Sequence, residues 1–151
     1  MTLDDTIDIG RQRAGSGNPG TNEAAAWRLN STILRTEAVT AFIAGAVIWM
    51  TNGGSILWFL PLLLVPDISM VGYLRGNRPG AVIYNLVHNW TLAAALLGLG
   101  WWIDGRTLLL TGALLLAHVG MDRALGYGLK LSGGFQETHL GRIGESKNPH
   151  E

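Results

Sequence analysis

Thr107–Leu131 reads TLLLTGALLLAHVGMDRALGYGLKL. Such a run is long and apolar enough for a helix to cross a bilayer core of ~30 Å, which takes about 20 helical residues. Yet it carries His118, Asp122 and Arg123 inside its second half, where ionisable groups are expensive and therefore informative. His118 and Asp122 are spaced i, i+4, so one helix face presents both.

Three more stretches of the same kind precede it. The first starts near Asn30–Ser31 as a candidate N-cap and runs through AVTAFIAGAVIWM to Met50. The second runs from Ser55 to about Leu74 and contains WFLPLLLVPDISMVGY. Pro61 and Pro66 each remove a backbone donor there, so it should kink or break near Asp67. The third covers Ala81 to about Trp102, after the turn Arg75-Gly76-Asn77-Arg78-Pro79-Gly80. Short turns join all four, which predicts an all-α integral-membrane bundle of four antiparallel transmembrane helices over 31–131.

Composition agrees. The 151 residues include 48% hydrophobic side chains, and the mean hydropathy of +0.24 averages a very apolar middle with polar ends. A soluble domain of this length cannot enclose so apolar a middle. Eleven basic and eleven acidic groups give zero net charge, which argues against nucleic-acid binding. The absence of Cys excludes thiolate metal sites, disulfides and iron–sulfur clusters. Residues 1–30 are polar and Gly-rich and read as a disordered tail; residues 132–151 read as a short Gly-rich cytoplasmic segment able to fold back on that face.

Charge asymmetry sets the expected orientation. Arg11, Arg13, Arg28, Arg35, Arg75, Arg78, Arg123, Lys130, Arg142 and Lys147 fall on one side of the predicted bundle, and Arg106 alone on the other. The positive-inside rule then places both termini in the cytoplasm, in a multi-pass inner-membrane protein. Trp49, Trp58, Trp101 and Trp102 lie near the outer turns, where aromatic belts are expected.

The polar residues of the spans gather at one depth. At ~1.5 Å per residue, Glu37, Asp67, Tyr84, Asn85, His88, Asn89, His118, Asp122 and Arg123 all fall roughly 5–20 Å below the cytoplasmic surface. Two imidazoles and two carboxylates, from Asp67, His88, His118 and Asp122, form a candidate set for a divalent metal such as Zn, Mn or Fe. Such a cation could activate water toward a lipid-borne ester or phosphoester. Glu37 or Tyr84 would assist, Arg123 or Lys130 would hold a phosphate, and Tyr84, Asn85 and Asn89 would line the substrate chamber. Without metal, Asp67 or Asp122 kept protonated would serve as a general acid for isomerisation or cyclisation of an apolar substrate. Haem between His88 and His118 is a weaker option. Against all of these stands a non-catalytic membrane subunit or assembly factor, whose polar layer only fixes helix packing. Lipid-facing Gly and Ala surfaces would suit pairing with a second copy.

The stretches PDISMVGYLRGNRPGAVIYNLVH and AHVGMDRALGYGLKLSGGFQETHLGRIG carry a resemblance. They resemble a bacterial integral-membrane family, domain of unknown function 4260, over roughly 30–144. The matching positions are Pro66, Asp67, Ser69 and Met70; Asn85 and His88; His118, Asp122 and Arg123; and Thr138, His139, Leu140 and Gly141. The resemblance implies four membrane helices, supplies no activity, and adds His139 to the candidate catalytic residues Asp67, Asp122 and Glu37. A looser similarity is to inner-membrane metal-dependent hydrolases with Pro-Asp-x-Asp, Thr-His-Ser and a late His-x-x-x-Asp. Ser69 and Leu140 depart from that pattern.

Overall fold

The computed structural model describes residues 19–133, 136–138 and 141–142. Among these, the described residues from Leu34 onward belong to one compact unit, and residues 19–33 to another. Helix α1 covers Pro19–Thr51, α2 Ile56–Leu63, α3 Asn77–Val87, α4 Trp90–Trp102 and α5 Arg106–Leu125. A 3-10 segment, Val65–Arg75, joins α2 to α3. Four helical stretches are long and apolar enough to cross a membrane: Arg28–Thr51, Ile56–Arg75, Asn77–Trp102 and Arg106–Leu125. The chain is accordingly a multi-pass, all-α membrane protein, with one two-residue hairpin, β1 Glu137–Thr138 and β2 Gly141–Arg142.

Helix α5 is the hub, and small residues make it one. A Cβ built on Gly45 would lie 2.5 Å from the Ala113 carbonyl oxygen and 2.9 Å from the Ala117 Cβ. One on Gly120 would lie 2.6 Å from the Phe42 nitrogen. These contacts bring the backbones of α1 and α5 together in opposite sequence order. On another side of α5, Gly112 meets Leu97 and Gly100 of α4 meets Leu109. With little hydrophobic drive between helices in lipid, such close approach supplies the dispersion contacts that hold them. Gly98 of α4, by contrast, has open space beside it.

At the expected outer end, Arg106 Nη2 donates to the Gly53 carbonyl at 2.8 Å and ties two turns together. Trp58, Trp101 and Trp102 are exposed, but Trp49 is buried and donates its indole N–H to the Ser55 carbonyl at 3.1 Å.

Four boundaries differ from the sequence expectation. Helix α1 begins at Pro19, so residues 19–30, read as tail, are helical, while 1–18 lie outside the described residues. Proline suits a first helical position, and the following Ala-rich run favours helix. The second span changes at Leu64 from α to 3-10, close to the expected break. The third starts at Asn77 and is interrupted at His88–Asn89, because Asn89 N-caps α4 by accepting from the Leu92 N–H at 2.8 Å. The fourth ends at Leu125, not Leu131. Gly126 takes φ 92°, with N–H bonds from Gly126 to the Arg123 carbonyl and from Tyr127 to that of Asp122. This is a Schellman stop, and Gly126 was its visible signal.

Candidate metal centre

Each span interruption positions one side chain. In the second span, Leu63's carbonyl lacks its 3-10 donor because position 66 is proline, and the Asp67 N–H turns to Leu64's carbonyl at 3.2 Å. His118 Nδ1 takes up the Leu63 carbonyl at 2.6 Å. In the third span, the break leaves His88 with φ −93° and ψ 46°; its carbonyl accepts from Arg123 Nη2 at 3.1 Å. His88 Nδ1 lies 3.0 Å from the Tyr84 carbonyl, and the Tyr84 ring stacks on the His88 imidazole at 3.7 Å between centroids.

Carbonyl oxygens only accept, so both Nδ1 atoms donate, and in neutral rings both Nε2 atoms present lone pairs. Those two Nε2 atoms lie 2.9 Å apart. Around them, His88 Nε2 is 3.3 Å from Asp67 Oδ1 and 3.9 Å from Asp122 Oδ2. His118 Nε2 is 3.6 Å from Asp67 Oδ1 and 3.8 Å from Asp122 Oδ2. One ligand atom from each of the four residues lies within 4.8 Å of the others. A tetrahedral ion with bonds of about 2.1 Å needs ligand separations of about 3.4 Å, which this set brackets. The four residues fit a divalent cation in geometry and in donor chemistry.

The surroundings complete the arrangement. His88 and His118 are fully buried and Asp122 nearly so, whereas the Asp67 side chain is 34% exposed. Asp67 is thus the most exposed of the four, and its chain neighbours Leu64, Val65, Ile68 and Val71 are exposed apolar residues. Tyr84 donates its hydroxyl to Asp122 Oδ2 at 2.9 Å. Both the imidazoles and one carboxylate thus have outer partners of the kind that orient metal ligands.

The remaining expected site residues divide. Asn85 clamps residue 130, accepting from the Lys130 N–H at 2.7 Å and donating to its carbonyl at 2.8 Å. Asn89 caps α4 and donates to the Asn85 carbonyl at 3.0 Å. Arg123 spends its guanidinium on the carbonyls of Tyr127, at 2.6 Å, and His88. Lys130 is buried with its Nζ 5.2 Å from the Tyr84 ring centroid, rather than on the lipid-facing end of a helix. Burial pushes the Lys130 ammonium below its ordinary pKa, and Asp122 and Asp67 pull it back up. Glu37 is exposed on α1 and outside the cluster, because Ala38, its neighbour, takes the buried face. His139 lies outside the described residues. The positioning roles of Leu63's carbonyl and of Arg123 were not anticipated; Pro66 was the one signal for the former.

A family model described as domain of unknown function (DUF4260) matches residues 31–143. No curated protein matches the chain, and neither does any solved structure.

Proposed function

The chain belongs to the DUF4260 family, and from its chemistry we propose a membrane-embedded metalloenzyme that acts on a lipophilic substrate. Asp67, His88, His118 and Asp122 hold one divalent cation, of which Zn, Mn and Fe are the candidates. One observation carries this reading: two imidazole Nε2 atoms face each other across 2.9 Å, beside two carboxylates, while both opposite nitrogens are held by carbonyls. With both rings neutral, two lone pairs converge there, and a cation bound by both would turn that repulsion into two bonds. When bound, it would supply Lewis acidity for hydrolysis of an ester or phosphoester.

The chain's own groups do the rest. Tyr84 and the Leu63 carbonyl orient ligands, and the exposed apolar residues beside Asp67 suit a lipid-soluble molecule arriving from the bilayer. The excess of Lys and Arg near the polar layer supports an inner-membrane placement with both termini cytoplasmic.

Elemental analysis of detergent-purified, dialysed protein tests the proposal. Wild type should carry close to one transition-metal ion per chain, and His118→Ala and Asp122→Asn should carry none. Metal-free wild type, with all three proteins folded, sinks it. That outcome would favour the packing reading, which has its own support in the commitment of Asn85, Asn89 and Arg123 to backbone groups.

A further inference from the structure

Charge defines what the metal centre accepts. Asp67 and Asp122 contribute two negative charges, and the His Nε2 atoms contribute none while both rings are neutral. Two basic groups stand close by. Arg123 contacts the carbonyl of His88, and Lys130 sits over the ring of Tyr84, whose hydroxyl is bonded to Asp122. Among the described residues of the site, these carboxylates and cations already cancel.

A divalent ion therefore adds two positive charges to the balance of these four groups. His88, His118, Asp122 and Lys130 are each buried, which limits screening by water. An uncompensated charge in such surroundings is strongly unfavourable. The surplus matches a dianion, and the partly exposed Asp67 marks the side from which one enters.

Resting on the metal reading above, we infer that the loaded centre binds a phosphate-type oxyanion, with Lys130 and Arg123 supplying the charge that selects it. The oxyanion is either the head of an amphiphile whose tail lies along Leu64, Val65, Ile68 and Val71, or a free phosphate. Metal and oxyanion then reinforce each other's binding by the same factor, since linkage is reciprocal.

The experiment measures metal affinity by chelator competition for the protein in phosphatidylcholine nanodiscs. One arm adds inorganic phosphate, with chloride at matched ionic strength as control; the other uses nanodiscs doped with phosphatidate. We expect at least about tenfold tighter metal binding in one arm, within the usual range of coupling between sites. Tightening with inorganic phosphate identifies the free ion as the source, and tightening confined to phosphatidate identifies a lipid head. Lys130→Met should keep the metal and lose the tightening, and Lys130→Arg should restore it. Metal binding that neither phosphate source tightens overturns this inference and leaves the metal centre standing. So does Lys130→Met with wild-type tightening. A protein that binds no metal at all overturns both.

Discussion

His88 and His118 face each other through Nε2 atoms 2.9 Å apart, and each ring is locked by its own Nδ1 on a main-chain carbonyl. One of those carbonyls, Leu63's, is available because α2 ends there ahead of a proline. The other, Tyr84's, belongs to the last turn of α3 before the break at His88. Backbone irregularity within a membrane span is tolerated where protein satisfies the freed groups. Here the Leu63 carbonyl is satisfied by a candidate ligand, His118, whereas the Tyr84 carbonyl holds the His88 ring in addition to the His88 N–H at 2.8 Å.

Pro66→Ala returns an N–H to position 66 and lets Leu63's carbonyl bond within its own segment. His118 Nδ1 then has a competitor, and the imidazole loses its fixed orientation. Metal affinity should fall by about 10- to 100-fold, the usual effect of removing an outer partner of a ligand. Helix content should hold or rise, as circular dichroism would show. Unchanged affinity would mean that this carbonyl does not orient His118.

Tyr84→Phe removes one hydroxyl and keeps the ring that stacks on His88. It should weaken metal binding by about tenfold with a native thermal transition for the metal-free protein to within about 1 kcal/mol. Chelator competition and thermal unfolding read the two quantities separately. A variant that loses stability and keeps its affinity would make Tyr84 a packing residue only.

Two glycine substitutions test the packing around α5. Gly120→Ala places a Cβ 2.6 Å from the Phe42 nitrogen and 2.7 Å from the Ala38 oxygen, atoms of a helix backbone that cannot give locally. It should cost about 1–3 kcal/mol. Gly98→Ala meets nothing within 4 Å and should be neutral or stabilising by up to about 1 kcal/mol, as Ala outranks Gly in a helix. Detergent unfolding midpoints in the reverse order would contradict the close approach of α1 and α5.

Asn85→Ala leaves the Lys130 N–H and carbonyl without their side-chain partner. Lys130 is also bridged to Thr138, so the whole return of the chain beyond α5 should loosen. Hydrogen exchange at 128–133 should accelerate, with a cost of about 1–3 kcal/mol for the two lost hydrogen bonds. Exchange confined to its wild-type rate would show that the bridge to Thr138 suffices alone.

Apolar length and short turns were enough, read from the sequence, to establish four membrane helices. The one-dimensional pattern of a span is set by the solvent around it, and lipid demands about 20 apolar residues wherever the partners lie. Depth was legible for the same reason: Asp67, His88, His118 and Asp122 could be assigned to one layer because helical rise is constant. Rotation was not legible, and of the interruptions only the one beside Pro66 was. Whether Asn89 continues a helix or caps one, whether Gly126 is passed through or stops α5, and whether Lys130 lies in lipid or over Tyr84 depend on partners distant in sequence. Glu37 shared the right depth, but Ala38 took the inward position because Gly120 on α5 needed a small neighbour. Depth follows from counting residues along one helix; the side a residue faces is decided by close contacts between helices, and those exist only in the folded chain.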